Sequence, residues 1–135
     1  MFVLDTNTLI YFFKGQGRVA EHLLATPPLQ VAVPAVVVFE LETGIAKSGN
    51  VSRRREQFAR LLDTVTVLPF DQAAAVQAAG VRAELEHRGG PIGPMDTLIA
   101  GTVLAQGGCL VTHNTADFRR VEGLEVVDWY HGDSP

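Results

Sequence analysis

Five short apolar runs most constrain what this chain can fold into. They are Phe2–Leu4, Gln30–Val33, Val65–Leu68, Cys109–Thr112 and Leu124–Val127. Each is three or four residues of near-continuous hydrophobicity rather than strict alternation, and helix-length segments separate most of them. Short strands apolar on both sides belong to a mostly parallel sheet covered by helices on both faces. Helices are expected over Thr8–Phe13, Arg18–Ala25, Ala35–Lys47, Ser52–Asp63, Asp71–His87 and Met95–Ala105, with breaks at Lys14–Gly17, Pro27-Pro28, Gly49-Asn50 and the loop GGPIGP at 89–94. Val36–Phe39 suits strand as well as helix. Asp71 is placed to cap its helix, and Gly107-Gly108 to close the next. Ser134-Pro135 is expected to be a frayed end. The 135 residues suit one domain, and no internal repeat or linker interrupts them.

The acids fall where these elements meet. Asp5 directly follows the first strand, and Asp117 lies a few residues beyond the fourth. Asp96 opens a helix after the glycine- and proline-rich loop, where free backbone N–H groups favour a carboxylate. Glu40 interrupts the apolar stretch VVVFEL, and Gly44 one turn later leaves space beside it. Each acid also has a plain structural reading: Asp5 and Asp96 as helix caps, Glu40 as a half-exposed helix residue, Asp117 as a turn residue. Gathered at the carboxyl edge of an α/β sheet, however, four carboxylates would repel without a cation. Mg2+ or Mn2+ bound through oxygen ligands would compensate them, and such a centre suits phosphodiester hydrolysis. Thr6, Asn7, Thr112 and Asn114 are the small polar neighbours that would orient the carboxylates. The stretch LVTHNTADF at 110–118 would then carry supporting groups toward a ligand, with Phe118 anchored in the core.

Other chemistries are less well served. The stretch DTNT lacks the second acid of a haloacid-type phosphatase, and no lysine follows Lys47. Neither a GxxxxGK[ST] loop nor GxGxxG after the first strand is present. The four histidines show no paired metal-ligand spacing: His22 and His87 read as surface residues, and only His113 adjoins the acids. The lone Cys109 excludes a disulfide framework and reads as core. A reducing, cytoplasmic setting is expected from that, from an N-terminus without a basic signal-peptide start, and from the lack of any bilayer-length apolar run.

The motifs DTNTLIYF (5–12), FELETG (39–44), MDTLIAG (95–101), LVTHNTADF (110–118) and VEGLEVVDW (121–129) together resemble the PIN-domain ribonucleases, and within them the VapC-type toxins. The resemblance spans nearly the whole chain. It implies a PIN-like three-layer α/β fold over residues 1–135. It implies an Mg2+-dependent endoribonuclease whose ion, replaceable by Mn2+, is held by Asp5, Glu40, Asp96 and Asp117. Thr112 and Asn114 match the polar residues supporting the metal, and Asn7 a small polar position beside the first acid. His113 stands where many relatives have a second asparagine. The motifs lie nearest those of initiator-tRNA nucleases. A VapB-type antitoxin and a homodimer are the implied partners.

Net charge is −4, which gives no global footprint for RNA. Positive charge is instead local, at Arg53, Arg54, Arg55 and Arg60, with Lys14, Arg18 and Lys47 upstream, and substrate contacts are expected from Arg53, Arg54, Arg55 and Arg119. The same arginines also suit a solvated helix face. Charged residues are only 19% of the chain, which leaves apolar surface for a partner to cover. An inactive PIN-like binding module and a non-toxin metal-dependent nuclease are the competing readings.

Overall fold

The computed structural model describes residues 1–131, so the expected frayed end at Ser134-Pro135 lies outside the described residues. The strands are β1 (Phe2–Leu4), β2 (Val31–Pro34), β3 (Thr66–Leu68), β4 (Cys109–Val111) and β5 (Glu125–Val127). The helices are α1 (Thr6–Lys14), α2 (Val19–Ala25), α3 (Ala35–Ala46), α4 (Val51–Leu62), α5 (Gln72–His87), α6 (Pro94–Gln106) and α7 (Thr115–Phe118). All five strands form one sheet in the order β3-β2-β1-β4-β5, and every pairing is parallel. Val3 sits in register between Ala32 and Leu110 at the middle of the sheet.

Successive strand residues point to opposite faces. Val3, Leu4, Val31, Ala32, Val33, Leu110 and Val111 are nonetheless all fully buried. Both faces are therefore covered, as the continuous apolar runs require. The edge strands β3 and β5 begin with exposed residues and bury fully only their last one. From the central β1 the chain winds outward through β2 to β3, then crosses back and winds the other way through β4 to β5. The direction of winding reverses between β1 and β4, and that is where an open parallel sheet leaves a crevice at its carboxyl edge.

The ambiguous run Val36–Phe39 is helical. Pro34, with φ −62°, delivers the chain into α3, and Val37, Leu41 and Ile45 then repeat at the four-residue spacing that buries one helix stripe. β-Branched side chains weaken a helix only slightly, so this burial decides the outcome. α1 starts at Thr6, two residues earlier than expected, because Asp5 caps it. Phe118 is fully buried, as expected for the residue that fastens the segment after β4.

α5 and α6 pack unusually closely, and the reason is Gly101. A Cβ at position 101 would lie 2.5 Å from Ala78 Cβ and 2.6 Å from the Ala78 amide nitrogen. Gly80, exposed on α5, has open space instead. The two glycines should respond in opposite ways to the same change. Gly80→Ala is expected to raise stability by about 0.5–1 kcal/mol through helix propensity. Gly101→Ala is expected to lower it by about 1–3 kcal/mol through overpacking. Urea denaturation of both variants checks this, and a Gly101→Ala protein as stable as Gly80→Ala would show that the helices separate without cost.

Candidate active site at the carboxyl edge of the sheet

The crevice between the ends of β1 and β4 collects the acids. Asp5 leaves β1 and is almost wholly buried. Its backbone N–H donates to Val111 O across the crevice (3.2 Å), and its side-chain Oδ1 accepts the Thr8 N–H at 2.9 Å, capping α1. Burial pushes the Asp5 carboxyl up from its ordinary value. Hydrogen bonding with Thr112 and Thr8 opposes that shift, and the charge on Glu40 adds to it.

Glu40 projects from the middle of α3, and the Thr6 hydroxyl donates to its Oε1 at 2.6 Å. Asp117 lies in α7, where Asn114 Nδ2 donates to its Oδ2 at 3.1 Å. Asn114 is itself fixed by its backbone N–H, which donates to Thr112 Oγ1 at 3.0 Å. Asp96 occupies the first turn of α6, behind Gly93 and Pro94. Thr97 closes that turn by donating its backbone N–H and its hydroxyl to Gly93 O.

Asp96 ties the four together electrostatically. Its pKa is pushed up to about 6, first by burial and then by the charges on Asp5, Glu40 and Asp117. A single group feeling the charge of three others sets the four carboxylates, from four elements, in one neighbourhood. Among the described residues no lysine, arginine or histidine forms an ion pair with any of them. The donors around them are hydroxyl, amide and backbone N–H groups, which orient a carboxylate without cancelling its charge. An all-oxygen set of net negative charge fits a hard divalent ion.

Several expected contacts fall elsewhere. Asn7 is exposed on α1 and hydrogen-bonds none of the carboxylates. Thr8 takes the role instead, holding Asp5 with its N–H while its hydroxyl donates to Val111 O at 3.0 Å. The signal was available, since the third residue after a capping Asp is the one whose N–H the cap accepts. Arg53 and Arg54 line a groove of about 420 Å³ that also holds Lys14, Gly44 and Glu40. Arg55 turns away and pairs with Glu42 at 3.2 Å on the surface. Arg119 is exposed at the end of α7, whereas the Arg120 guanidinium donates to Gly90 O.

His87 is exposed as expected, but two other histidines hold positions the sequence did not suggest. His22 is half-buried rather than on the surface, stacked on Trp129 with ring centroids 5.7 Å apart. His113 hydrogen-bonds none of these four acids; its Nδ1 instead meets Oδ2 of Asp128, just beyond β5, at 2.9 Å. With His131, these two form a group whose potential ligand atoms all lie within 4.8 Å of one another, a cluster capable of coordinating a metal. Sequence spacing did not reveal it, because its members come from the ends of two adjacent strands.

The profile of the PIN domain family matches residues 2–124, and the chain belongs to that family. The tRNA(fMet)-specific endonuclease VapC of Shigella flexneri is 34% identical over 128 residues, covering 95% of this chain and 97% of the relative. Ribonuclease VapC2 of Rickettsia felis is 28% identical over 131 residues, covering 96% and 98%. A chain in the crystal structure of DNA-bound VapBC from Salmonella typhimurium superposes with a TM-score of 0.88 at 32% identity, covering 95% of this chain and 97% of that one. Similarity of this extent places the chain with the VapC-type members of the family.

The field on Asp96 has a measurable consequence in metal-free protein. A carboxyl raised from 3.8 to about 6 binds more protons folded than unfolded across that interval. Its contribution to stability therefore falls as pH rises through the interval and stays low above it. Asp96→Asn removes the penalty. Discounted for the half exposure of the group, the variant should be about 1 kcal/mol more stable than the parent at pH 7. The advantage should fade as pH drops below 3.8. Chemical denaturation in a chelator across this range measures it, and a variant less stable at neutral pH would contradict the reading.

Proposed function

We propose that the chain is a metal-dependent endoribonuclease toxin, neutralised by a cognate VapB-type antitoxin. The observation that carries this is the convergence of Asp5, Glu40 and Asp117 on the field at Asp96 in a chain similar to VapC-type nucleases over nearly its full length. Asp5, Glu40, Asp96 and Asp117 would hold the ion, and Mg2+ fits the all-oxygen donor set, with Mn2+ able to replace it. Such an ion supplies Lewis acidity toward a phosphoryl oxygen and lowers the pKa of water.

The chain's own residues do the positioning. Thr6 holds Glu40, Asn114 holds Asp117, and Thr8 with Thr112 holds Asp5. Arg53, Arg54 and Lys14 present positive charge along the groove that leads to Glu40, where a phosphate backbone would lie. Arg119 offers a further exposed cation beside Asp117. Contacts of this kind fix register without reading bases. The similarity to a protein named as a tRNA(fMet)-specific endonuclease favours initiator tRNA as substrate. The similarity to VapBC complexes favours the antitoxin partner, and the VapC resemblance a homodimer. An inhibitory segment that set a cation among the four acids would displace ion and RNA together.

Sequencing RNA ends after brief induction, beside an Asp5→Asn control, tests the reading. Cleavage at one tRNA, lost in the control and in excess EDTA, is expected. Undiminished cleavage in EDTA would exclude the metal mechanism. Thr6→Val should weaken metal affinity or activity by about 10–100-fold, because it removes only the group that orients a ligand.

The arginines divide by geometry. Replacing Arg53 and Arg54 together should weaken RNA binding and reduce the slope of log affinity against log salt by about 1.4, at roughly 0.7 per phosphate contact on a single strand. Arg55→Ala, which removes a surface partner of Glu42, should leave that slope nearly unchanged. Filter binding across a salt series separates them. Equal effects from all three would assign the whole cluster to nonspecific surface charge.

A further inference from the structure

The acid crevice makes no use of the second cluster of ligand-bearing side chains. Asp128 follows β5 and is only 5% exposed. Its Oδ1 accepts the Tyr130 N–H at 2.8 Å, and its Oδ2 lies 2.9 Å from His113 Nδ1. Among the described residues no arginine or lysine forms an ion pair with it. A carboxylate this deeply buried calls for a compensating cation.

The surroundings are preorganised on two sides and adjustable on the third. Tyr130 stacks on the His113 ring at 4.3 Å, and Tyr11 meets its edge at 5.7 Å. The imidazole is thereby held in place, and the Tyr130 N–H holds the carboxylate. His131 is exposed, with its ring centroid 5.0 Å from that of His113. The potential ligand atoms of all three residues lie within 4.8 Å of one another. Bonds of about 2.0–2.2 Å to a shared ion require somewhat closer donors. Rotation of the exposed His131 side chain supplies that adjustment.

We propose that His113, Asp128 and His131 form a binding site for a borderline divalent transition ion of the Zn2+ class, separate from the acid crevice. Two imidazoles and one carboxylate select Zn2+, Co2+ or Ni2+, whereas the four carboxylates of the crevice select Mg2+ or Mn2+. Three protein ligands leave a fourth position for water. The ion would fasten the Tyr130-His131 segment to the exit of β4. It would do so beside Thr112 and Asn114, which contact Asp5 and Asp117. The proposal does not depend on the nuclease reading, because its readout is binding and not cleavage.

Zn2+ calorimetry and Co2+ visible absorption on the untagged, metal-stripped full chain, with excess Mg2+ present, provide the test. One equivalent of Zn2+ per chain is expected, with an unfolding midpoint raised by the ion. Binding should survive in the Asp5→Asn, Asp96→Asn double variant. It should weaken by at least about 100-fold in His131→Ala, since even groups that only support a ligand are worth 10–100-fold. His131 is exposed, so its replacement leaves the fold intact, and a Zn2+-independent midpoint for that variant completes the pattern. The proposal is overturned if the parent chain binds no Zn2+, or if His131→Ala binds it as tightly as the parent. It is equally overturned if binding vanishes with Asp5 and Asp96 but persists without His131.

Discussion

Negative charge crowded into a half-dry crevice is the interaction on which the rest of this structure depends. Four carboxylates share one field there, and among the described residues none of them is ion-paired to a basic side chain; the effect registers at Asp96, whose pKa is pushed up to about 6. Left to itself such a cluster would open or protonate. The scaffold resists by fixing each acid from a different direction. β1 supplies Asp5, α3 supplies Glu40, the first turn of α6 supplies Asp96 and α7 supplies Asp117. The hydrogen bonds to Asp5, Glu40 and Asp117 come from hydroxyl, amide and backbone donors, which preserve both position and charge. That combination is what a binder of hard cations needs.

The sheet makes this arrangement possible. A reversal of winding between β1 and β4 opens the crevice, and a covering on both faces buries the central strands. The close approach of α5 and α6 at Gly101 and Ala78 belongs to the same economy, because α6 carries Asp96 at its other end. The groove lined by Lys14, Arg53 and Arg54 reaches Glu40 and carries the opposite sign. A polyanion would therefore meet attraction along the approach and repulsion only at the centre, where a cation changes the balance.

Much of this was legible in the sequence because three of the four acids sit at or near element boundaries. Strand ends and helix starts are marked by abrupt changes of polarity, and Asp5, Asp96 and Asp117 all lie at such changes. The helix carrying Glu40 was harder, since a run of β-branched residues suits either period until the partners of Val37, Leu41 and Ile45 are known. Side-chain direction was the main loss. Asn7 and Thr8 are neighbours, yet only the helix cap decides which of them faces Asp5. His113 lies between two residues that serve the crevice, yet it pairs with Asp128 beyond the neighbouring strand. Arg53 and Arg54 face the groove while Arg55 takes Glu42, a distinction set by helix phase and by a partner thirteen residues away. The buried face of His22 depends on Trp129, more than a hundred residues later, and no local pattern encodes such a meeting.

The dispersion of the acids over four elements also orders events in time as the chain is made. Synthesis proceeds from the N-terminus, so Asp5 and Glu40 emerge first, Asp96 later and Asp117 last of the four. β4, which pairs directly with β1 and completes one wall of the crevice, arrives between the last two. A nascent chain is therefore without its assembled carboxylate set until the segment carrying Asp117 has left the ribosome. Fragments interrupted before Asp117 lack both that acid and β5, and none of them holds all four carboxylates. The order of the acids along the chain thus withholds the complete carboxylate set until β4 and Asp117 have both been made.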